Sequence, residues 1–271
     1  MQASAIEKFN ADLWDFYATH KRILPWRETI SPYGIAVSEI MLQQTQVSRV
    51  LEKYPVFMKT FPDFPTLAQA SFVDVLSVWQ GMGYNRRAKY LQEIAKRISF
   101  SHRNIVPDDP SLLETFPGIG PATARSIVTF IYNTPQIFIE TNIRRVFIHH
   151  FFEDTVLISD KEIVPLIEHI IDKYNPREWY YALMDYGATL PKHVVNPNRK
   201  SKHYTKQSKF EGSRRQMRGK ILKELLAANK LDRLEIADKL GYTIGIIYPI
   251  LQELHQEGFV QEKKGKYMIS P

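Results

Sequence analysis

Phe116-Pro117-Gly118-Ile119-Gly120-Pro121-Ala122-Thr123-Ala124 lies between two stretches of helical periodicity and decides how the chain around it folds. Asp109-Pro110 caps and begins a short helix that stops at Pro117-Gly118, and Pro121 pre-sets φ for the first turn of the next helix. The result expected is two helices joined by a glycine turn. Gly118 and Gly120 can take backbone angles closed to other residues, so main-chain N–H groups can point outward at the positive end of the following helix. That geometry binds a phosphate. A lone Gly-Xaa-Gly would suit any helix-helix turn; Leu113 three residues before Phe116, followed by Pro-Gly-Ile-Gly and Thr-Ala, makes the pattern specific.

Working outward, apolar residues recur at helical spacing over 5–20, 37–54, 66–70, 72–78, 85–98, 111–115, 123–132, 142–152, 160–174 and 176–186, separated by short prolyl and glycyl breaks. Only Ile137 to Ile139 reads as extended before a turn at Glu140, so the body is expected to be mainly α. At 271 residues the chain is long enough for two or more folding units. A formal charge of +7 and a pI near 9.3 favour a polyanionic partner. The absence of cysteine excludes disulfides, thiolate nucleophiles and cysteine-ligated clusters. No apolar run suits a signal peptide or a membrane span, so a soluble, intracellular protein (cytoplasmic or nuclear) without a membrane partner is expected.

Two carboxylates stand out. In Ser38-Glu39-Ile40-Met41-Leu42-Gln43-Gln44-Thr45-Gln46, the spacing predicts one helix with Glu39, Gln43 and Gln46 on a shared polar face. Glu140, in Ile139-Glu140-Thr141-Asn142, precedes a helix whose dipole should favour its ionised form. Taken singly, Glu39 reads as an acid paired with a lysine and Glu140 as an ordinary helix-start residue. Together they suit cleavage of a base from a deoxynucleotide. An acid in an apolar cleft has a raised pKa and can protonate the leaving base, and a charged carboxylate can steady an oxocarbenium-like sugar. The nucleotide must first leave the base stack, with Gln43 placed to wedge into the gap.

From Lys192 to Lys220 ten Lys or Arg face the single acid Glu211. This is either a solvated linker or a DNA-facing segment, and the interleaved Tyr204 and Phe210 favour docking. Beyond it, three helices (217–228, 232–240 and 243–256) and a hairpin over 259–269 turning at Lys263-Lys264-Gly265-Lys266 give a winged-helix pattern. Its core is expected from Leu225, Leu226, Ile236, Leu240, Ile247, Leu251, Leu254 and Val260. The third helix begins Thr243-Ile244-Gly245-Ile246-Ile247, so a protein-docking or phosphate-only role is as consistent with it as base reading.

Leu24-Pro25-Trp26-Arg27, the Glu39 string, Trp79-Gln80-Gly81-Met82-Gly83-Tyr84 and Leu113 through Ala124 together resemble the helix-hairpin-helix DNA glycosylases, most closely the adenine glycosylase (MutY) branch, over about residues 5 to 190. The resemblance implies a two-lobed, mainly α glycosylase domain over 1–191; the charge and helix pattern beyond it give a basic segment over 192–213 and a winged-helix-like domain over 214–271. It implies that Glu39 protonates the adenine, that Glu140 stands where the family has aspartate, and that Asn142 assists. Gln43, Gln44, Gly118, Gly120, Ala122, Thr123, Arg199, Lys200 and Lys202 would then meet DNA, while Trp26, Arg27 and Tyr84 border the base pocket. The partner implied is double-stranded DNA with a mismatch or lesion, met by a monomer.

Several departures bear on that reading. Glu140 is one methylene longer than aspartate. Ala122 replaces the lysine of bifunctional relatives, so a monofunctional enzyme without a Schiff-base lyase step is expected. The family's iron-sulfur loop would begin near Pro191, where this chain offers no thiolate, so no cofactor is expected. The domain with which adenine glycosylases inspect oxidised guanine is replaced by the winged-helix-like unit. Excision of adenine from mispairs is the leading reading. Removal of a mismatched thymine, uracil or altered purine, and a catalytically silent DNA-binding protein, are the alternatives.

Overall fold

The computed structural model describes residues 3–153, 155–206 and 209–271. Asp154 and, within the basic segment, Gln207 and Ser208 lie outside the described residues, as do the first two positions of the expected glycosylase domain. In chain order the helices are α1 (Ala3–His20), α2 (Pro25–Glu28), α3 (Pro32–Leu42), α4 (Val47–Thr60), α5 (Phe64–Gln69), α6 (Phe72–Trp79), α7 (Arg86–Ser101), α8 (Pro110–Leu113), α9 (Pro121–Tyr132), α10 (Thr141–Phe151), α11 (Asp160–Ile170) and α12 (Pro176–Thr189). Short 3-10 turns follow at Leu190–Lys192 and Pro197–Lys200. The chain ends in α13 (Arg214–Ala228), β1 (Leu231–Asp232), α14 (Arg233–Leu240), α15 (Ile244–Gln256), β2 (Val260–Lys263) and β3 (Lys266–Ile269). Two compact units result: residues 1–39 with 107–206, and residues 40–106 with 207–271.

In the first unit α12 is the central helix, packed by α1, α9 and α10. Its run Trp179-Tyr180-Tyr181-Ala182-Leu183 is buried throughout. Trp179 meets Phe147 edge-on at 6.5 Å, Tyr181 stacks on Phe130 at 4.7 Å and Tyr180 stacks on Phe138 at 4.0 Å. The last stack, with the Tyr180 hydroxyl donating to the Gln136 carbonyl at 2.8 Å, fixes residues 133–140 as an irregular segment. Residues 137–139, expected to be extended, lie in neither helix nor strand; Phe138 is anchored by aromatic stacking and joins no sheet. Arg177 closes the end of α9 by donating to the carbonyls of Phe130 and Ile131 at 2.6 and 2.8 Å.

The second unit joins two stretches distant in sequence. In residues 40–106, α5 and α6 pack on α7 and α4 packs on α6, around fully buried Phe57, Leu76 and Trp79. Residues 209–271 form α13 to α15 with a three-stranded antiparallel sheet in the order β1-β3-β2. β1, paired through Leu231 to Tyr267, adds a strand to the expected hairpin. The hairpin turns at Lys264 and Gly265, both at positive φ (53° and 75°), a two-residue turn that glycine favours. Ile221, Leu225, Ile236, Ile247, Leu251 and Leu254 fill this module's core, whereas Leu226 and Leu240 are only half-buried. The module docks through Phe259, whose ring meets Phe72 edge-on at 5.7 Å, and through Glu257, which pairs with Arg86 at 2.8 Å. Lys89 donates to the Glu257 carbonyl at 2.7 Å.

One expected helix is two. The pattern over 37–54 breaks after Leu42, with Gln44 at φ 54° and α4 beginning at Val47. Glu39, Gln43 and Gln46 therefore do not share one helical face. The break is held by buried Arg87, whose guanidinium donates to the carbonyls of Ile40, Met41 and Gln43 at 2.9, 2.7 and 2.7 Å and to the Thr45 hydroxyl at 2.8 Å. Ile40 and Met41 lie in the last turn of α3, so one cation satisfies two of its terminal carbonyls, while the Thr45 N–H takes that of Leu42 at 3.2 Å.

Candidate active site

The first unit brings both carboxylates into one electrostatic neighbourhood. Glu39, near the end of α3, lies against α9, where the Ser126 hydroxyl is 2.5 Å from its Oε2. Ser126 also lies 3.0 Å from the Thr123 carbonyl, which can only accept. A hydroxyl has one proton. That proton goes either to Thr123 or to Glu39 Oε2, and where Ser126 donates it to Glu39 the bond favours the anion. Burial is the largest influence on Glu39 and pushes its carboxyl up to about 7. Ser126 opposes it, the nearby Glu140 charge adds to it, and Arg27 opposes it.

Glu140 is the N-cap of α10. One oxygen accepts the Asn142 and Ile143 backbone N–H groups at 2.8 and 3.1 Å, and the other faces the Asn142 amide at 3.4 Å. Glutamate is an unusual cap; its extra methylene is taken up by curling back on its own helix. Burial moves its pKa up, against these backbone N–H groups, the Asn142 side chain and the Arg145 charge. The helix dipole therefore does not by itself set its ionisation. The two Asn142 contacts, the Ile143 N–H and the Arg145 charge favour the Glu140 anion, and Ser126 and Arg27 that of Glu39, each set against burial.

The cap is braced from behind. Arg145 donates to the Asn142 side-chain oxygen at 2.8 Å, to the Gly187 carbonyl at 2.5 Å and to the Asn196 side chain at 3.1 Å. Gly187, in α12, has no room for a side chain: a Cβ there would run into the Asn142 carbonyl oxygen. The segment after α12 is also docked. Asn198 donates to the Thr141 carbonyl at 2.9 Å, and Ile158 and Ser201 form a parallel bridge. Lys200 donates to the Glu153 carbonyl at 2.5 Å beyond the end of α10. Lys200 is thus spent on a helix end, while Arg199 and Lys202 stay exposed. The part of the basic segment up to Lys202 is a structural strap, not a free connector. The donor set does not suit an iron-sulfur cluster, since the chain has no cysteine, and among the described residues no group of three His, Cys, Asp or Glu could hold a metal.

Trp26 is buried, and Arg27 is held by Asp185 at 2.9 Å, with side chains only 4% and 1% exposed, and lies 4.1 Å from the Tyr181 ring centre. Arg22 pairs with the same carboxylate at 2.7 Å. Arg27 therefore acts on Glu39 by its charge from a fixed position. Across the hairpin, Leu113, Phe116, Ile119 and Ala124 are buried, leaving Gly118, Gly120 and Ala122 exposed and Thr123 half-buried. Gly118 takes φ 76°, while Gly120 sits in extended geometry as the N-cap of α9 and needs no special angle. Asn142 lies at Glu140, whereas Gln43, Gln44 and Tyr84 belong to the second unit. Ser126, Arg145, Asp185 and Gly187 are site residues that the sequence reading missed; a serine one turn after Thr123 carries no signal beyond its place in the hairpin's second helix.

A helix–glycine turn–helix whose second helix touches a buried acid is the combination that the resemblance to base-excision glycosylases implies. Residues 37–175 match the model of the HhH-GPD superfamily of base excision DNA repair proteins, and the chain belongs to that family. An adenine DNA glycosylase of Mycobacterium tuberculosis is 39% identical over 188 residues, covering 67% of this chain and 61% of that protein. One from Buchnera aphidicola is 35% identical over 174 residues, covering 63% and 49%. The chain thus spans about half to three-fifths of these curated relatives. A thermostable thymine-DNA glycosylase shares the fold at TM-score 0.60 and 22% identity, covering 68% of this chain and 87% of that one. Among the described residues no helix is long and apolar enough to cross a membrane.

Proposed function

We propose that the protein is a monofunctional DNA glycosylase that hydrolyses the N-glycosidic bond of a mispaired adenine turned out of duplex DNA. The observation that carries this reading is the Glu39 carboxyl held near pKa 7 and able to exist as a neutral acid within the Ser126–Thr123 chain. As the bond from the sugar C1′ to the base breaks, its electron pair goes to the base and the Glu39 proton follows it there. The positive charge left on the sugar is met by Glu140, fixed at the start of α10. Water then adds to C1′ and its released proton returns to Glu39. General acid catalysis of this kind contributes about 10²- to 10⁴-fold. The α9 N-terminus, gripping a phosphate, places the strand in register with Ser126 one turn further on. Ala122 supplies no amine, so the sugar remains as an abasic site.

The support for adenine is the 30–39% identity to curated adenine DNA glycosylases. Purified protein incubated with labelled duplexes carrying adenine, thymine, uracil or an altered purine in mispairs, then treated with alkali, should nick the adenine strand only. Glu39→Gln should abolish base release and leave duplex binding near the original. Base release by that variant at the original rate would remove the acid, and cleavage at another base would reassign the substrate.

A further inference from the structure

The second unit holds a groove of about 740 Å³ that no step above uses. It lies where α13 docks beside the Gly81–Arg87 turn and the start of α4, and eight Lys or Arg line it against a single acid, Glu257. Part of that charge is spent. Arg86 and Arg218 share Glu257 at 2.8 and 2.6 Å, Arg214 pairs with Glu253 at 2.5 Å, and Arg87 holds backbone carbonyls. The remainder is not. Among the described residues no acidic side chain lies in ion-pair range of Arg49, Lys220 or Lys223, and Arg49 and Lys223 are exposed. Arg215 bonds the Tyr84 hydroxyl.

The arrangement is directional. Lys220 and Lys223, three residues apart on α13, share a face, and Arg49 lines the same groove from α4. Arg215 also bridges two aromatic rings, with its guanidinium carbon 4.9 Å from the Tyr84 centroid and 5.6 Å from that of Phe210. Phe210 is 53% exposed and offers an open face. A cationic groove with a ring-and-guanidinium platform is the chemistry that takes single-stranded nucleic acid, phosphates on the cations and a base on the ring.

We propose that this groove binds a DNA strand, its phosphodiesters between Arg49 and the Lys220–Lys223 pair and one unstacked base on Phe210. The C-terminal module thereby contacts DNA through its first helix and not through α15. The site extends the base-excision reading, since it presumes that the chain works on DNA, yet it is tested by binding alone.

The experiment measures affinity against salt for a fluorescent duplex carrying a three-thymidine unpaired loop and for its fully paired counterpart, using the full chain with Glu39→Gln to prevent turnover. Arg49→Ala, Lys220→Ala and Lys223→Ala together should lower the slope of log K against log salt by about two units, and Lys220→Arg with Lys223→Arg should retain it. Phe210→Ala should weaken the looped duplex roughly tenfold and leave the paired one unchanged. A salt slope unmoved by the triple substitution overturns the proposal. So does displacement of the looped duplex by millimolar inorganic phosphate alone, which would mark a small-anion site. Absence of base release from any duplex by the unsubstituted chain, with the slope change present in the Glu39→Gln background, would sink the excision reading and leave the groove standing.

Discussion

Glu39 decides how the protein should respond to pH. On the proposed mechanism only the protonated acid gives its proton to the base, so the rate of base release should fall about tenfold per pH unit above about 7. Ser126 opposes the upward shift, so Ser126→Ala should carry that limb to higher pH, which a pH–rate profile under single-turnover conditions will show. The same group bears on stability with a definite sign. Its folded pKa of about 7 exceeds the ordinary carboxyl value of 4.5, so its favourable contribution is full below pH 4.5 and is lost as pH rises through 7. Glu39→Gln should therefore gain on the parent between those limits, by on the order of 3 kcal/mol at most, as measured by urea unfolding at pH 4 and pH 8. A difference independent of pH would mean that the folded protein does not perturb this carboxyl.

At the scale of elements, the site depends on two helices meeting backbone to backbone. Gly187 on α12 touches the Asn142 carbonyl of α10, and Arg145 ties the two together beside the Glu140 cap. Gly187→Ala forces them apart and should cost about 1–3 kcal/mol, as overpacking does. It should also lower single-turnover base release more than duplex affinity, because it displaces Glu140 while leaving the hairpin untouched. Equal losses in both would show that the junction only holds the unit together. Which elements were legible follows from where their causes lie. The hairpin, the Asp232 cap of α14 and the Lys264-Gly265 turn announce themselves because proline, aspartate and glycine act locally. The break after Leu42 does not. Ile40, Val47, Val50 and Tyr54 keep helical spacing across it, and what ends α3 is Arg87, more than forty positions along the chain. Both acids stand out in the sequence by their neighbours, but the burial that raises both pKa values and the groups that oppose it, Ser126 and Arg145, come from tertiary packing and leave no local pattern.

On the scale of the whole molecule, the chain leaves its first unit after Glu39, returns at Pro107, and departs again after residue 206 to complete the second. The last sixty or so residues are thus part of the fold of residues 40–106. Phe259 rests on Phe72 of α6, which is 6% exposed, and Lys89 of α7 reaches the Glu257 carbonyl, where a Cβ on Gly258 would lie 2.7 Å from its amine. Burying a phenylalanine side chain is worth about 1.5–3 kcal/mol, so Phe259→Ala in the full chain should destabilise the second unit by a comparable amount. Hydrogen exchange can locate that loss. Amides of α5 to α7 should exchange faster, while those of α9 and α12 in the first unit keep their protection. A chain ending at residue 206 should show the same pattern more strongly, because it also strips Glu257 from Arg86 and Arg215 from Tyr84. If α5 to α7 keep their protection in both, the C-terminal module is a tethered passenger, and the groove it lines with α4 would no longer be a fixed feature of the fold.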